Sequence, residues 1–376
     1  MKSIAIVGGG MVGVALACAL KDTALRIAVI DAAASHVNDH RLIALNDSRC
    51  DFFKKLDIWP ALAPQAAAIH QVHVSTRGHF GTTRLQANEM NVEQLGHVVP
   101  ASEINSALYE KLATLKNVEL MRSAKLNALN EKPTHSELTL QLESGEKKIE
   151  ARIVVGADGT FSTVRKLLNI ATETIDYKQK ALVTITETQR KHNHIAYERF
   201  LEKGAIAMLP LTGERVATIW SGDANNIDGL LKLSDADFLQ TLQKHFGYRL
   251  GKLVRTQQRF YYPLQFVKAQ QQIKNNTILV GNAAHTVHPI AAQGLNLALY
   301  EIEVLAEHLK KQAIHSLSLN GMPDFSTQKN IPMNLSHRLT QIFSLDFFAI
   351  NAARQIGMMS LDICTPAKKY IGKYLL

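Results

Sequence analysis

Apolar positions recur along this chain with more than one period, and the changes of period divide it. Lys2 to Val7 and Leu25 to Ile30 are nearly unbroken, β-rich apolar runs, the pattern of strands buried on both faces. Between them, Val12 to Leu20 is rich in Ala and Leu and predicts a helix. Strand, turn, helix and strand together span about thirty residues, the size of a βαβ unit. Ile43 to Ile58 predicts a helix stopped near Trp59-Pro60, and Ala101 to Leu115 predicts another. Val72 to Leu85, with Gly78 and Gly81, alternates like antiparallel strands. Val118 to Leu120, Leu138 to Leu142 and Ile153 to Val155 predict short strands. From Ala181 to Ile219 the period is two: Ala181–Thr186, Ile195–Phe200, Ala205–Leu211 and Arg215–Trp220 predict an antiparallel sheet turning at Gly204 and Gly213. Asp235–Phe246 predicts a helix and Gln257–Pro263 a strand. The buried-strand pattern then returns at Thr277–Val280, before a helix over Leu297–Leu309 that begins near Gln293. Ile314–Met333 is polar and predicts a surface linker, and Leu335–Leu376 is mostly helical.

Because the parallel-sheet pattern resumes after the period-two stretch, the predicted fold is α/β with an α+β insert. A dinucleotide-binding parallel-sheet domain is discontinuous over 1–70, 97–175 and 265–315. An antiparallel β-sheet substrate domain from 71–96 and 176–264 is inserted into it, and 316–376 forms a linker and C-terminal helices. The 376 residues suffice for two lobes. At 46% apolar and 20% charged, the composition excludes a disordered bulk. The net charge of +9 admits nucleic acid, an anionic membrane surface or anionic cofactors as partners. The basic residues are scattered with no Arg/Lys-rich arm, which argues against nucleic acid. Ser3 to Leu20 is uncharged and follows Lys2, like a signal segment, but Gly8, Gly9, Gly10 and Gly13 break it. No other uncharged run reaches the ~20 residues of a spanning helix. Cys18, Cys50 and Cys364 stand far apart without a CxxC, as reduced thiols of a cytoplasmic protein do.

Three glycine-bearing turns carry the candidate chemistry. In Gly8-x-Gly10-x-x-Gly13, the first glycine permits the turn, the second lets backbone approach a pyrophosphate, and the third lets helix and strand pack closely. Asp31 closes the next strand, where a carboxylate accepts from ribose hydroxyls and disfavours a 2′-phosphate, pointing to FAD or NAD as the tightly held nucleotide. Gly156-Ala157-Asp158-Gly159 follows a buried strand. Asp158 there has two readings, a partner for ribose or ribityl hydroxyls and a cap for the helix Ser162–Leu168. Gly281 to Asn296, GNAAHTVHPIAAQGLN, joins a strand to a helix start, whose free N–H groups and dipole suit a ring that becomes anionic on reduction. It lies about 270 residues after the first turn, so one large cofactor is expected to be held from both ends of the chain. His285 and His288 flank this loop without Asp, Glu or Cys at ligand spacing, and no metal is expected.

Together these turns resemble the flavin-dependent aromatic hydroxylases, the class A flavoprotein monooxygenases, over most of the chain to about Leu309. Asp39–Leu45 (DHRLIAL), Leu95–Val99, Tyr177-x-Gln179-x-Ala181, Glu198-Arg199-Phe200 and Met208–Leu211 resemble the ubiquinone-biosynthesis branch. Asn282, where the family usually has Asp, resembles the subgroup acting on 2-polyprenyl-6-methoxyphenol. Ala292 and Glu301 depart from the usual Gly and Asp. The resemblance implies a p-hydroxybenzoate-hydroxylase-like fold with bound FAD, NAD(P)H as transient electron donor and O2 as oxygen source. It implies that Gly8, Gly10 and Gly13 cradle the pyrophosphate and that Asp31 binds the adenosine ribose. Arg41 would lie near the pyrophosphate or flavin edge, and Asp158 and Asn282 near the pyrophosphate–ribityl region. Gly294, Leu295 and Asn296 would offer backbone N–H groups to the pyrimidine end, and Pro289 would line the flavin face. The implied substrate is a polyprenylated phenol. The alternatives are a related hydroxylase acting at another ring position, and a non-catalytic flavoprotein subunit of a biosynthetic complex. The base for the phenol stays open among Tyr197, Arg199 and His194. The apolar segment Ser344–Leu361 reads as a helix packed on the cofactor lobe, or as a surface for a polyprenyl chain, a partner complex or the inner membrane's periphery.

Overall fold

The computed structural model describes residues 1–35, 39–287, 293–312, 317–323, 325 and 348–369, the side chains of 348–354 and 356 excepted. Pro289, His288, Ala292 and most of the expected 314–333 linker lie outside the described residues.

At the centre is a parallel sheet in the strand order Thr277–Leu279, Gly145–Gly156, Lys2–Val7, Ile27–Ile30, Val118–Met121. Ile4 to Val7 stand in register with Ile27 to Ile30 on one side and Ile153 to Gly156 on the other. Pleating sends Ile4 and Ile6 to one core and Ala5 and Val7 to the other, which is why the run carries no polar residue between Ile4 and Val7. The helices Met11–Ala19, Ala101–Ala113 and Gln293–Gln312 fill the first core. A meander of Lys125–Glu131, Ser136–Leu142 and the long strand Gly145–Gly156 closes the second.

The second lobe is a nine-stranded, largely antiparallel sheet among the described residues, built from Gln71–Thr76, Thr82–Gln86, Thr172–Thr188, Ile195–Phe200, Ala205–Pro210, Arg215–Asp223, Leu253–Thr256, Phe260–Ala269 and His285–Thr286. The expected boundaries at 176 and 264–265 fall within the paired strands Thr172–Thr188 and Phe260–Ala269, whose register shifts between Asp176 and Gln179. Helices Ala224–Lys232 and Asp235–Phe246 cover one face, burying Leu182, Tyr197, Ile206, Met208 and Trp220. The alternate residues of the same strands turn to the opposite face, toward the parallel lobe.

Several sequence expectations are corrected. Leu42–Asn46 is a strand paired with Gly96–Pro100, and only Asp47–Lys55 of the expected helix 43–58 is helical at its start. The reason is Asn46, whose side chain accepts from Arg49 N at 3.0 Å and starts the helix there. The strand expected at 257–263 is Phe260–Ala269, and the helix Ala224–Lys232, capped by Asp223, has no counterpart among the sequence expectations. The C-terminal helix Phe348–Ile363, expected on the cofactor lobe, has its main contacts elsewhere among the described residues. It lies against strand Thr82–Gln86 of the inserted sheet, where Thr83 Oγ1 donates to Met358 O at 2.9 Å and Arg84 pairs with Asp362 at 2.8 Å. Lys368, just beyond it, is 2% exposed with both Glu89 oxygens at 2.7 Å.

Candidate active site

The first turn separates the duties of its glycines. A Cβ on Gly13 would stand 2.0 Å from Gly8 O, so Gly13 exists for helix–strand contact. Gly8 has φ +117° and would meet Ala157 O at 2.3 Å, so it is required by the neighbouring turn as well as by its own conformation. A Cβ on Gly10 meets nothing within 4 Å. That open volume lies at the N-terminus of helix Met11–Ala19, where unpaired N–H groups and the dipole favour a phosphate. Gly9, which the sequence motif leaves free, is also constrained: its Cβ would fall 2.4 Å from Asp31 Oδ2. Tyr109 Oη donates to Gly9 O at 2.5 Å and stands 3.4 Å from Asp31 Oδ2, fixing both beside the turn.

Asp158 is committed to its own loop. Its Oδ1 accepts from Ser162 Oγ at 2.5 Å, and its Oδ2 accepts from Thr163 N at 2.6 Å and Val164 N at 3.0 Å. Of the two readings, the helix cap is the one these contacts describe. Arg165 then ties this loop to the distant one, donating to Thr160 O at 2.8 Å and Ala283 O at 2.7 Å.

The distant loop forms a 3-10 turn at Gly281–Ala283, with Gly281 at φ +56°. Glu301, wholly buried in helix Gln293–Gln312, reaches back to it: Oε2 accepts from Gly281 N at 2.9 Å, and Oε1 accepts from Gln272 Nε2 at 3.0 Å. His285 Nε2 lies 2.9 Å from Glu301 Oε1, off the line of a good hydrogen bond. Glu301, a departure from the family pattern, is therefore the clamp of the loop. Asn296 also acts through its side chain, accepting from Asn46 N at 3.0 Å and donating to Ala44 O at 2.8 Å. That joins the helix start to strand Leu42–Asn46 across 250 residues of chain, a role sequence spacing does not signal.

Gly10, Arg41, Asn282, Gly294, Leu295 and Asn296 all border one cavity of about 820 Å³. Gly8, Gly13, Asp31 and Asp158 stand behind its wall. Arg41 is held by Asp39 through two parallel contacts, Nε–Oδ1 at 2.9 Å and Nη2–Oδ2 at 2.6 Å. From these turns the cavity runs between the lobes to Met358 and Leu361 of the C-terminal helix. Gly10's open volume, the helix start and the adjacent carboxylate fit the pyrophosphate and ribose of FAD, and the cavity provides room for its ring.

The period of two decides which side chains face that cavity. On strand Ile195–Phe200, Ala196, Glu198 and Phe200 face it. Tyr197 borders it, but its ring packs edge-on to Phe246 at 5.7 Å in the helix-covered core. Arg199 Nε donates to His245 O at 3.1 Å on that side. His194 is exposed, with Nδ1 3.0 Å from Ala68 O. The ring of Tyr197 and the side chains of Arg199 and His194 thus have partners outside the cavity, and Glu198, between two of them, is the carboxyl that borders it. Burial in apolar surroundings pushes it up to about 7. Counting Ala196 and Phe200 as one face would have singled it out.

Residues 1–316 match a family model described as an FAD binding domain. The chain is 30% identical to the ubiquinone hydroxylase UbiL of Rhodospirillum rubrum, over 100% of this chain and 90% of the relative. It is 31% identical to 3-demethoxyubiquinol 3-hydroxylase of Escherichia coli, over 81% of this chain and 79% of that one. In fold it is similar to p-nitrophenol 4-monooxygenase PnpA from Pseudomonas putida, with a TM-score of 0.79 at 15% identity, covering 100% and 98% of the two chains. The turns, the cavity they border and the family match over 1–316 lead to one assignment: the chain belongs to the class A flavin monooxygenases and is an FAD-dependent aromatic hydroxylase.

Proposed function

We propose that this enzyme hydroxylates the ring of a polyprenylated phenol, 2-polyprenyl-6-methoxyphenol, in ubiquinone biosynthesis. The observation that carries the reading is the cavity. It extends from the flavin-side turns to the C-terminal helix through a wall that is almost entirely apolar, as a ring with a prenyl chain requires. The names of the Rhodospirillum and Escherichia relatives support its coarser part, a hydroxylase of the ubiquinone pathway. Bound FAD supplies the acceptance of electrons from NAD(P)H and the activation of O2. The chain's own residues bind, orient and exclude water. In this reading Gly8, Gly10 and Gly13 with the start of helix Met11–Ala19 receive the pyrophosphate, and Asp31 receives the adenosine ribose. Asn282 and Arg41 face the pyrophosphate–ribityl region. Gly294, Leu295 and Asn296 offer N–H groups to the pyrimidine edge, and Pro289 lies by the ring. Asp158 acts indirectly, by shaping its turn. No helix among the described residues is long and apolar enough to cross a membrane. A substrate this apolar places the enzyme at the periphery of the inner membrane or within a biosynthetic complex.

Metabolite analysis of a deletion strain tests the substrate. Accumulated 2-polyprenyl-6-methoxyphenol is expected; an earlier or later intermediate would refute the assignment. The Escherichia relative's name specifies a different ring position, so 3-demethoxyubiquinol accumulation would favour that second reading.

A further inference from the structure

We infer that Glu198 is the anchor and proton acceptor for the substrate's phenolic hydroxyl, and that it thereby selects the ring carbon para to that hydroxyl for oxygenation. The inference rests on the phenol reading above and adds the residue and the ring position. Arg41 and Glu198 are the charged side chains among the described residues bordering the cavity, and Arg41 is already occupied by Asp39. The Glu198 carboxyl has no hydrogen-bond or ion-pair partner among the described residues. Its neighbours in register are Val74 and Ala207, and Phe200, Ala205 and Met358 cluster beside them. None of these titrates. The charged groups of the adjoining elements face away or are engaged. His73 meets Tyr197 at 5.6 Å on the helix-covered side, Arg249 donates to Ser75 Oγ at 3.1 Å, and Arg84 is paired with Asp362. A lone carboxyl on an apolar wall selects one hydrogen-bond donor from the ligand.

Position in the sheet gives the orientation. The strand bearing Glu198 lies four strands from Phe260–Ala269, which pairs with His285–Thr286 of the flavin-side loop. A phenol hydroxyl on Glu198 therefore leaves the para carbon as the ring atom nearest the flavin side. A prenyl chain ortho to the hydroxyl falls among Val74, Phe200, Ala205 and Met358. As the ring donates an electron pair to one oxygen atom of the O2 that reduced FAD would activate, the O–O bond breaks and the other oxygen leaves at the level of water, while the hydroxyl proton passes to the carboxylate and the C–O(phenol) bond becomes a carbonyl. Loss of the proton from the newly oxygenated carbon restores aromaticity, and Glu198 returns its proton to the first oxygen.

The test uses holoenzyme with 2-farnesyl-6-methoxyphenol and its methyl ether, titrated by the change in flavin absorbance. Wild type should bind the phenol roughly 10- to 100-fold more tightly than the ether. Glu198→Gln, which keeps an acceptor without charge, should lose about tenfold of that preference, and Glu198→Leu should abolish it. Glu198→Asp should recover part of it. The pH profile of kcat/KM for the phenol should show an ionisation near that of the wild-type carboxyl, absent in Glu198→Gln, and the product should be the para hydroquinone. An unchanged phenol-to-ether ratio and pH profile in Glu198→Gln, with flavin retained, would overturn the inference. Failure of wild type to respond to either compound would instead refute the phenol reading itself.

Discussion

Gly10→Val separates binding from folding with unusual clarity. Gly10 caps helix Met11–Ala19 with φ −75° and ψ 179°, a conformation any residue adopts, and its Cβ position is empty to 4 Å. The substitution should therefore alter the stability of the FAD-free protein by less than about 1 kcal/mol. The added methyl groups occupy the space assigned to pyrophosphate. In wild type, FAD at a thousandfold excess over Kd stabilises by about 4 kcal/mol. Over 376 residues, with an unfolding entropy of about 2.1 cal/mol/K per residue, that is a Tm shift of about 5 °C. The assay is thermal melting of FAD-free protein with and without added FAD, alongside the flavin spectrum of protein as purified. Wild type should be yellow and shift; Gly10→Val should be colourless, melt like FAD-free wild type and not shift. Gly13→Val is the contrast: with Gly8 O at 2.0 Å from its Cβ, the strand and helix must part, so the fold itself should fail. Full flavin retention by Gly10→Val, or unfolding of that variant without FAD, would refute the placement of the turn.

Glu301→Leu strands the buried Gly281 N–H and removes one acceptor of the Gln272 amide, which keeps Leu279 O, and should cost about 2–5 kcal/mol, read by chemical denaturation. Lys368→Met leaves Glu89 without its cation and should raise hydrogen exchange through 358–369 while leaving the parallel sheet unchanged. The Glu198 carboxyl, raised from 4.5 to about 7, binds its proton more tightly folded than unfolded. It therefore favours the substrate-free fold below about pH 4.5, and that contribution, on the order of 2 kcal/mol, is lost as pH rises through 7. Melting of wild type against Glu198→Gln across pH 4.5–8 should show the difference, and parallel curves would refute it. Burial pushes the Cys18 and Cys50 thiols up to about 12, whereas Cys364 is exposed, so a thiol reagent should label one cysteine natively and three in denaturant.

The parts of the site legible in the sequence are those whose requirement is local. The spacing of Gly8, Gly10 and Gly13 is dictated by one strand, one turn and one helix, and unbroken apolar runs mark strands with a core on each side. The inserted sheet was legible as alternation, and its turns at Gly204 and Gly213 are found there with positive φ. Which half of the alternation faces the substrate was not legible. That depends on where helices Ala224–Lys232 and Asp235–Phe246 lie, and the first of these was not among the sequence expectations. So attention fell on Tyr197 and Arg199, whose side chains engage Phe246 and His245 O on the helix-covered side, and passed over Glu198 between them. The side-chain partners of Asp158 and Asn296 were not legible for a related reason: a motif marks a residue's position, while its neighbours, Thr163 and Ala44, set what its side chain does.

The C-terminal helix borders the cavity at the end away from the flavin-side turns, through Met358 and Leu361, and among the described residues no contact with those turns is seen. The far wall of the cavity and the glycine turns that border its other end thus belong to separate stretches of sequence, so substitutions on this helix can reshape the cavity without altering the turns.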